Sequence, residues 1–133
     1  MEKFGKSQSV LRREDDRFVT GRGQYVDDTA PKGALHGYVL RSSYAHGVIT
    51  ALNTQEAEAA DGVRLVLTAA VLDKAGLSGK MEASLVKNQD GQLAPNTDRF
   101  LLAKDRVRFV GEPVAMVFAE TYAQARAAAD MIE

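Results

Sequence analysis

VRFVGEPVAMVFAETYAQARAAADMIE, residues 107–133, is the stretch that decides the fold. Val107, Phe109 and Val110 read as one strand. Gly111-Glu112-Pro113 breaks it, because glycine frees the backbone to turn and proline forces the residue before it into extended geometry. Residues 114–119 are continuously apolar and six long, the pattern of a strand buried on both faces. Thr121 then stands at a helix N-cap with Gln124 three residues on, the spacing of a capping box. Tyr122, Ala125, Ala129 and Ile132 fall on one face of that helix. Carried through to Glu133, it would be about 18 Å long. It meets no C-cap glycine, and from this we expect a domain cut short at its C-terminal side.

Working outward, residues 63–67 form a second dense apolar strand, followed by a short helix from Thr68, whose hydroxyl can cap it. Before that strand, Asn53 and Glu56 sit at capping-box spacing, an alanine-rich helix runs through Ala60, and Gly62 stands where a C-cap belongs. Residues 35–42, centred on Tyr38, Val39 and Leu40, make a third strand, and residues 46–52 a fourth candidate. Gly21-Arg22-Gly23 reads as a turn feeding a short strand at residues 24–26, closed by Asp27-Asp28 and Pro31-Lys32-Gly33. Residues 74–99 carry three glycines, a proline and the turn signal Asn88-Gln89-Asp90-Gly91. Here a strand over residues 81–87 folding back at Asp90-Gly91 is the expectation. Residues 1–20 show neither period and read as an arm, leaving residues 21–133 as the domain.

Composition excludes several classes of function. The chain has 133 residues, 45% hydrophobic, enough for a real core in one domain. Its formal net charge of -1 gives no field toward nucleic acid or anionic lipid, and no basic aromatic platform accompanies it. It has no cysteine, which removes disulfides, thiolate catalysis and iron–sulfur ligation from this chain. No apolar run reaches the length of a membrane span or a secretory leader, so a soluble, cytoplasmic protein is expected.

The polar clusters do not assemble a reactive set. His36 and His46 lie on different strand candidates without a carboxylate at ligand spacing, so hydrogen-bonded structural histidines are expected rather than metal ligands. Glu14, Asp15 and Asp16 alternate with Arg12, Arg13 and Arg17, the composition of a salt-bridged, solvated surface rather than of buried acid–base carboxylates. Gly21-Arg22-Gly23 lacks the remaining elements of a phosphate loop, and Asp27-Asp28 is too sparse for a calcium loop. Glu112 admits two readings: part of a plain strand-to-strand kink, or a carboxylate pinned where another domain lands. A hydrolase built on Glu112 and a histidine would need the two side chains within hydrogen-bond reach.

Four blocks occur in a telling order: RREDDRFVTGRGQYVDD (residues 12–28), VLRSSYAHGVI (residues 39–49), DGVRLVLT (residues 61–68) and LAKDRVRFVGEPVAMVFAE (residues 102–120). Together they resemble the N-terminal hammerhead domain of the large, molybdenum-binding subunit in the xanthine dehydrogenase, aldehyde oxidase and carbon monoxide dehydrogenase family. Ser43 stands where that family commonly has proline, Gly47 where it has alanine, and Val71 where it often has aspartate. The resemblance implies an α+β hammerhead fold with a mixed sheet, a few helices and a protruding β-hammerhead. It implies an oxidoreductase that hydroxylates a carbon centre or oxidises carbon monoxide with water as oxygen source. Its cofactor would be a molybdopterin, as the cytosine dinucleotide, with iron–sulfur clusters and FAD on partner chains or domains. The family's cofactor loops and catalytic glutamate lie later in the large subunit. No catalytic, cofactor-binding or metal residue is therefore assigned here, and Gly21, Gly23, Arg41, His46, Gly62, Gly111 and Pro113 match as fold or interface determinants. The expected role is a non-catalytic scaffold whose partners are the rest of the large subunit and the iron–sulfur and flavin subunits, with self-association when those are missing. The alternative is a stand-alone protein-interaction or small-ligand module using residues 74–99.

Overall fold

The computed structural model describes residues 12–81, 86–93 and 98–133. The chain divides into two compact units, Met1–Ala34 and Leu35–Glu133. In the first, where neither a helix nor its periodicity is expected, Asp15–Val19 forms one α-helical stretch, α1. Its first turn carries Asp15 and Asp16, the sign of charge that a helix N-terminus favours. The strand expected at residues 24–26 is replaced by a 3-10 turn over Val26–Thr29, held where the Tyr25 amide donates to Asp28 Oδ2 at 2.9 Å. A local carboxylate satisfies the backbone there before a strand partner does.

The second unit is built on β5, Pro113–Ala119, the central strand of a three-stranded sheet in the order β1-β5-β3. Its neighbours are β1, His36–Arg41, and β3, Val63–Thr68, both antiparallel to it. A second, two-stranded antiparallel ladder joins β2, Gly47–Val48, to β4, Arg106–Val107. Where a mixed sheet is expected, every pairing among the described residues is antiparallel. The fourth strand is much shorter than residues 46–52, and the strand at Val107 stops there, because residues 108–112 are drawn into a turn described below. Proline opens β5, the one strand position where a missing N–H costs little.

The register sorts the side chains. Tyr38 lies opposite Val117, and Val66 pairs with Val117 from the other side. That face meets α4, Tyr122–Ala129, and α2, Gln55–Ala59, in the main core. Val117, Ala119, Ala125 and Ala129 are fully buried there. Small alanines let the helix approach the sheet closely, and Tyr38 meets Tyr122 edge-on at 5.7 Å between ring centroids. Met116 and Phe118 point to the opposite face and are half-buried, so β5 is less enclosed than a six-residue apolar run suggests. β3 is likewise not the doubly buried strand its composition indicates: it is an edge, with Leu65 exposed.

The helix signals are borne out unevenly. Thr121 caps α4, its hydroxyl accepting from the Gln124 amide at 3.2 Å, and Thr68 caps α3, Ala69–Lys74, in the same way through Val71. α2 begins one residue later than expected, with Thr54 at the N-cap and Asn53 Oδ1 accepting from the Gln55 amide. The Asn53–Glu56 box is not made; Thr54 bonds Glu58 instead, at 2.6 Å. α4 does not run to Glu133. It ends at Ala129, and the chain turns so that Glu133 exchanges two backbone hydrogen bonds with Asn53. Within residues 74–99, the turn at Asn88–Gly91 is present and Lys87 bridges Leu93, while most of the strand expected over residues 81–87 lies outside the described residues. A second bridge, Lys80 to Phe100, closes the base of this excursion.

Gly62 earns its place twice. Its φ is +75°, and an added Cβ would sit 2.3 Å from the Gln124 side chain. Gly47 has open space around it. Gly62→Ala is therefore expected to lower stability by about 1–3 kcal/mol, and Gly47→Ala to stay within about 0.5 kcal/mol. Urea denaturation of both variants checks this; equal midpoints would contradict the packing described.

Candidate functional site

The densest convergence of polar groups in the second unit surrounds residues 108–112. Glu112 is 6% exposed, one of two buried polar residues among those described. Its carboxylate accepts the Arg108 backbone N–H through Oε2, and Oε1 lies 3.7 Å from Arg108 Nη1. Its own amide donates to Phe109 O at 3.2 Å. The carboxylate is thus folded back under the turn it belongs to. It is not displayed at a surface, and the reading of Glu112 as a pinned landing point is corrected accordingly.

The turn is also tied to β1. Gly111 N donates to Ser42 O at 2.8 Å, Ser42 N to Glu112 O at 2.9 Å, and Arg41 Nη1 to Gly111 O at 2.8 Å. Gly111 adopts φ +87°, which only glycine takes without strain. These bonds explain why Arg41, Gly111, Glu112 and Pro113 occur together: they carry the chain from the two-stranded ladder into the central strand, rather than linking two strands of one hairpin.

The remaining candidates stay apart. His36, which opens β1, and His46, just before β2, are both exposed. In the first unit, Arg12 pairs with Glu14 and Asp15 at 3.3 Å each, and Arg22 with Asp16 at 3.0 Å, all in solvent. Phe18 stacks on Tyr25 at 5.4 Å, with the Arg12 and Arg17 guanidinium groups 5.7 and 5.8 Å from its ring. Gly23 is required beneath it, since a Cβ would lie 2.3 Å from Phe18. This aromatic knot is missed when the stretch is read as aperiodic; the signal was Phe18 and Tyr25 seven residues apart around two glycines. Among the described residues no three of His, Asp or Glu converge as a metal site. The sequence has no cysteine and so offers no thiolate to an iron–sulfur cluster. An open groove of about 490 Å³ lies between β2 and the chain end, lined by Leu40, Tyr44, Val48, Ile49 and Ile132 among others, and its lining is chiefly apolar. No helix among the described residues is long and apolar enough to cross a membrane.

A buried carboxylate whose removal orphans a backbone N–H has a measurable cost. Glu112→Ala is expected to destabilise the chain by about 1–3 kcal/mol, and Glu112→Gln by less, because its amide oxygen still accepts. His36→Ala and His46→Ala should stay within about 0.5 kcal/mol. Thermal denaturation checks the order; a silent Glu112→Ala would contradict the geometry.

Residues 20–133 match the family model described as the a/b hammerhead domain of aldehyde oxidase and xanthine dehydrogenase. Among curated relatives, the nicotine 6-hydroxylase large subunit of Paenarthrobacter nicotinovorans is 41% identical over 125 residues, covering 92% of this chain and 14% of that protein. The carbon monoxide dehydrogenase large chain of Afipia carboxidovorans is 41% identical over 102 residues, 71% of this chain and 12% of its own. Among solved structures, quinoline 2-oxidoreductase from Pseudomonas putida 86 superposes with a TM-score of 0.76 at 40% identity, covering 94% of this chain and 15% of that one. The chain thus spans only a small part of the length of the proteins it matches. A sheet centred on β5, the Gly111–Pro113 crossover and this match over residues 20–133 agree: the chain belongs to the a/b hammerhead domain family of aldehyde oxidase and xanthine dehydrogenase.

Proposed function

We propose that this chain is a non-catalytic scaffold domain within the large subunit of a molybdenum hydroxylase. The observation that carries the reading is where its polar side chains go. Thr68 and Thr121 cap helices, Glu112 and Arg41 hold a crossover, and Asp73 pairs with Lys104 at 2.7 Å. Each is consumed by the fold, which leaves the chemistry to other parts of the enzyme.

The whole enzyme, on this reading, is an oxidoreductase that hydroxylates a carbon centre or oxidises carbon monoxide, with water supplying the oxygen. Its molybdopterin, in the cytosine dinucleotide form, would supply the redox centre from elsewhere in the large subunit. Iron–sulfur and flavin subunits or domains would receive the electrons. A chain without cysteine suits the cytoplasm, where we place the enzyme. Exposed apolar side chains such as Tyr44, Val48 and Phe109 support contacts with further polypeptide, and weak self-association when that polypeptide is missing.

Purified residues 1–133 should unfold cooperatively, carry no stoichiometric molybdenum by elemental analysis, and show no hydroxylation with an artificial electron acceptor. Turnover, or tightly held molybdenum, would sink the scaffold reading. The large subunit expressed without these residues should be soluble but inactive until residues 1–133 are added back.

A further inference from the structure

The turn at residues 108–112 is braced far more firmly than its exposure requires. Three hydrogen bonds link it to Arg41 and Ser42, and a buried carboxylate holds it from beneath. Yet at its tip Phe109 is 55% exposed and Val110 65% exposed. These side chains contribute little to the core of the unit. A lone exposed apolar residue is ordinary; a run of them on a preorganised turn is not. The turn also has an apolar neighbour. Ser42, bonded to Gly111, holds the backbone of Tyr44 through its hydroxyl, and Tyr44 is largely exposed. Backbone hydrogen bonds therefore place Tyr44 next to the turn that carries Phe109 and Val110, at the Gly47–Val107 end of the β2-β4 ladder.

We infer that this stapled turn, with Tyr44 beside it, is a docking surface for the remainder of the same large subunit. The inference rests on the scaffold reading above and names the contact through which the scaffold acts. One observation and one physical argument select this occupant. The relatives carry the matched segment in one polypeptide of which it makes up 14–16%. A partner on the same chain is also present at high effective concentration, so a small apolar patch suffices where a separate protein would need a larger one. The bracing fits such a role: a turn fixed before docking loses little entropy on binding, and the buried Glu112 carboxylate is what fixes it.

The test uses residues 1–133 and the separately expressed rest of the encoded large subunit, with affinity measured by titration calorimetry. Phe109→Asp with Val110→Asp is expected to weaken binding about tenfold or more while leaving the melting temperature of the isolated chain unchanged. Leu77→Asp, at a position of similar exposure, is expected to leave the affinity unchanged. Should the aspartate pair unfold the chain, Phe109→Ala carries the same test with a smaller loss. Unaltered affinity in the turn variants overturns the docking surface while leaving the scaffold reading intact, and an equal loss in Leu77→Asp overturns it too. A wild-type chain that fails to bind the remainder overturns the docking inference, and a reading frame with no remainder to express overturns both.

Discussion

The second unit depends on β5 having a partner on each side. Seven residues, Pro113–Ala119, pair with β1 along one edge and β3 along the other. Neither β1 nor β3 would be a sheet alone, and a two-stranded hairpin is marginal in water. The central strand makes them one object. Its alternation then decides the layers, because Val117 and Ala119 on one face receive α4 and α2, while Met116 and Phe118 on the other remain half-buried. A one-residue slip of β5 would exchange those two faces.

What keeps β5 in register is the crossover that precedes it. The register of β1 against β5 shifts between Leu40 and Arg41, so that Arg41 meets Pro113. The bonds from Gly111 and Glu112 to Ser42, and from Arg41 to Gly111, fix that irregularity in place. Glu112 lies at its centre. A carboxyl group at this depth is tolerated only because a backbone N–H and a guanidinium meet it. Glu112 performs a structural task here, and the same atoms hold Phe109 and Val110 outward.

The first unit follows a different logic. It has no sheet among its described residues, and its order comes from local pairs: Arg22 with Asp16, Tyr25 with Asp28, and an aromatic stack with guanidinium groups beside it. Each contact is exposed and individually weak. Gly21 and Gly23 make the close turns possible, the first through a φ of +70° and the second by leaving room for Phe18. That both glycines fall within motifs shared with a known family has a steric reason here, independent of any chemistry.

Much of the fold was legible in the residues because it rests on local rules. Thr68 and Thr121 announced their helices through hydroxyls at the N-cap, and Gly62 announced its turn, since these need only neighbours in sequence. The dense apolar runs at residues 63–67 and 114–119 declared strands. Composition could not say which of them would be central. Only the assembled sheet made β5 the middle and β3 an edge, because that depends on which strand finds two partners. Nor could sequence place Glu112, 70 residues from Ser42, beneath the turn, or end α4 at Ala129 so that Glu133 pairs with Asn53. Those outcomes are long-range hydrogen bonds, and the sequence alone determines the groups that can make them, while the tertiary structure decides which groups meet.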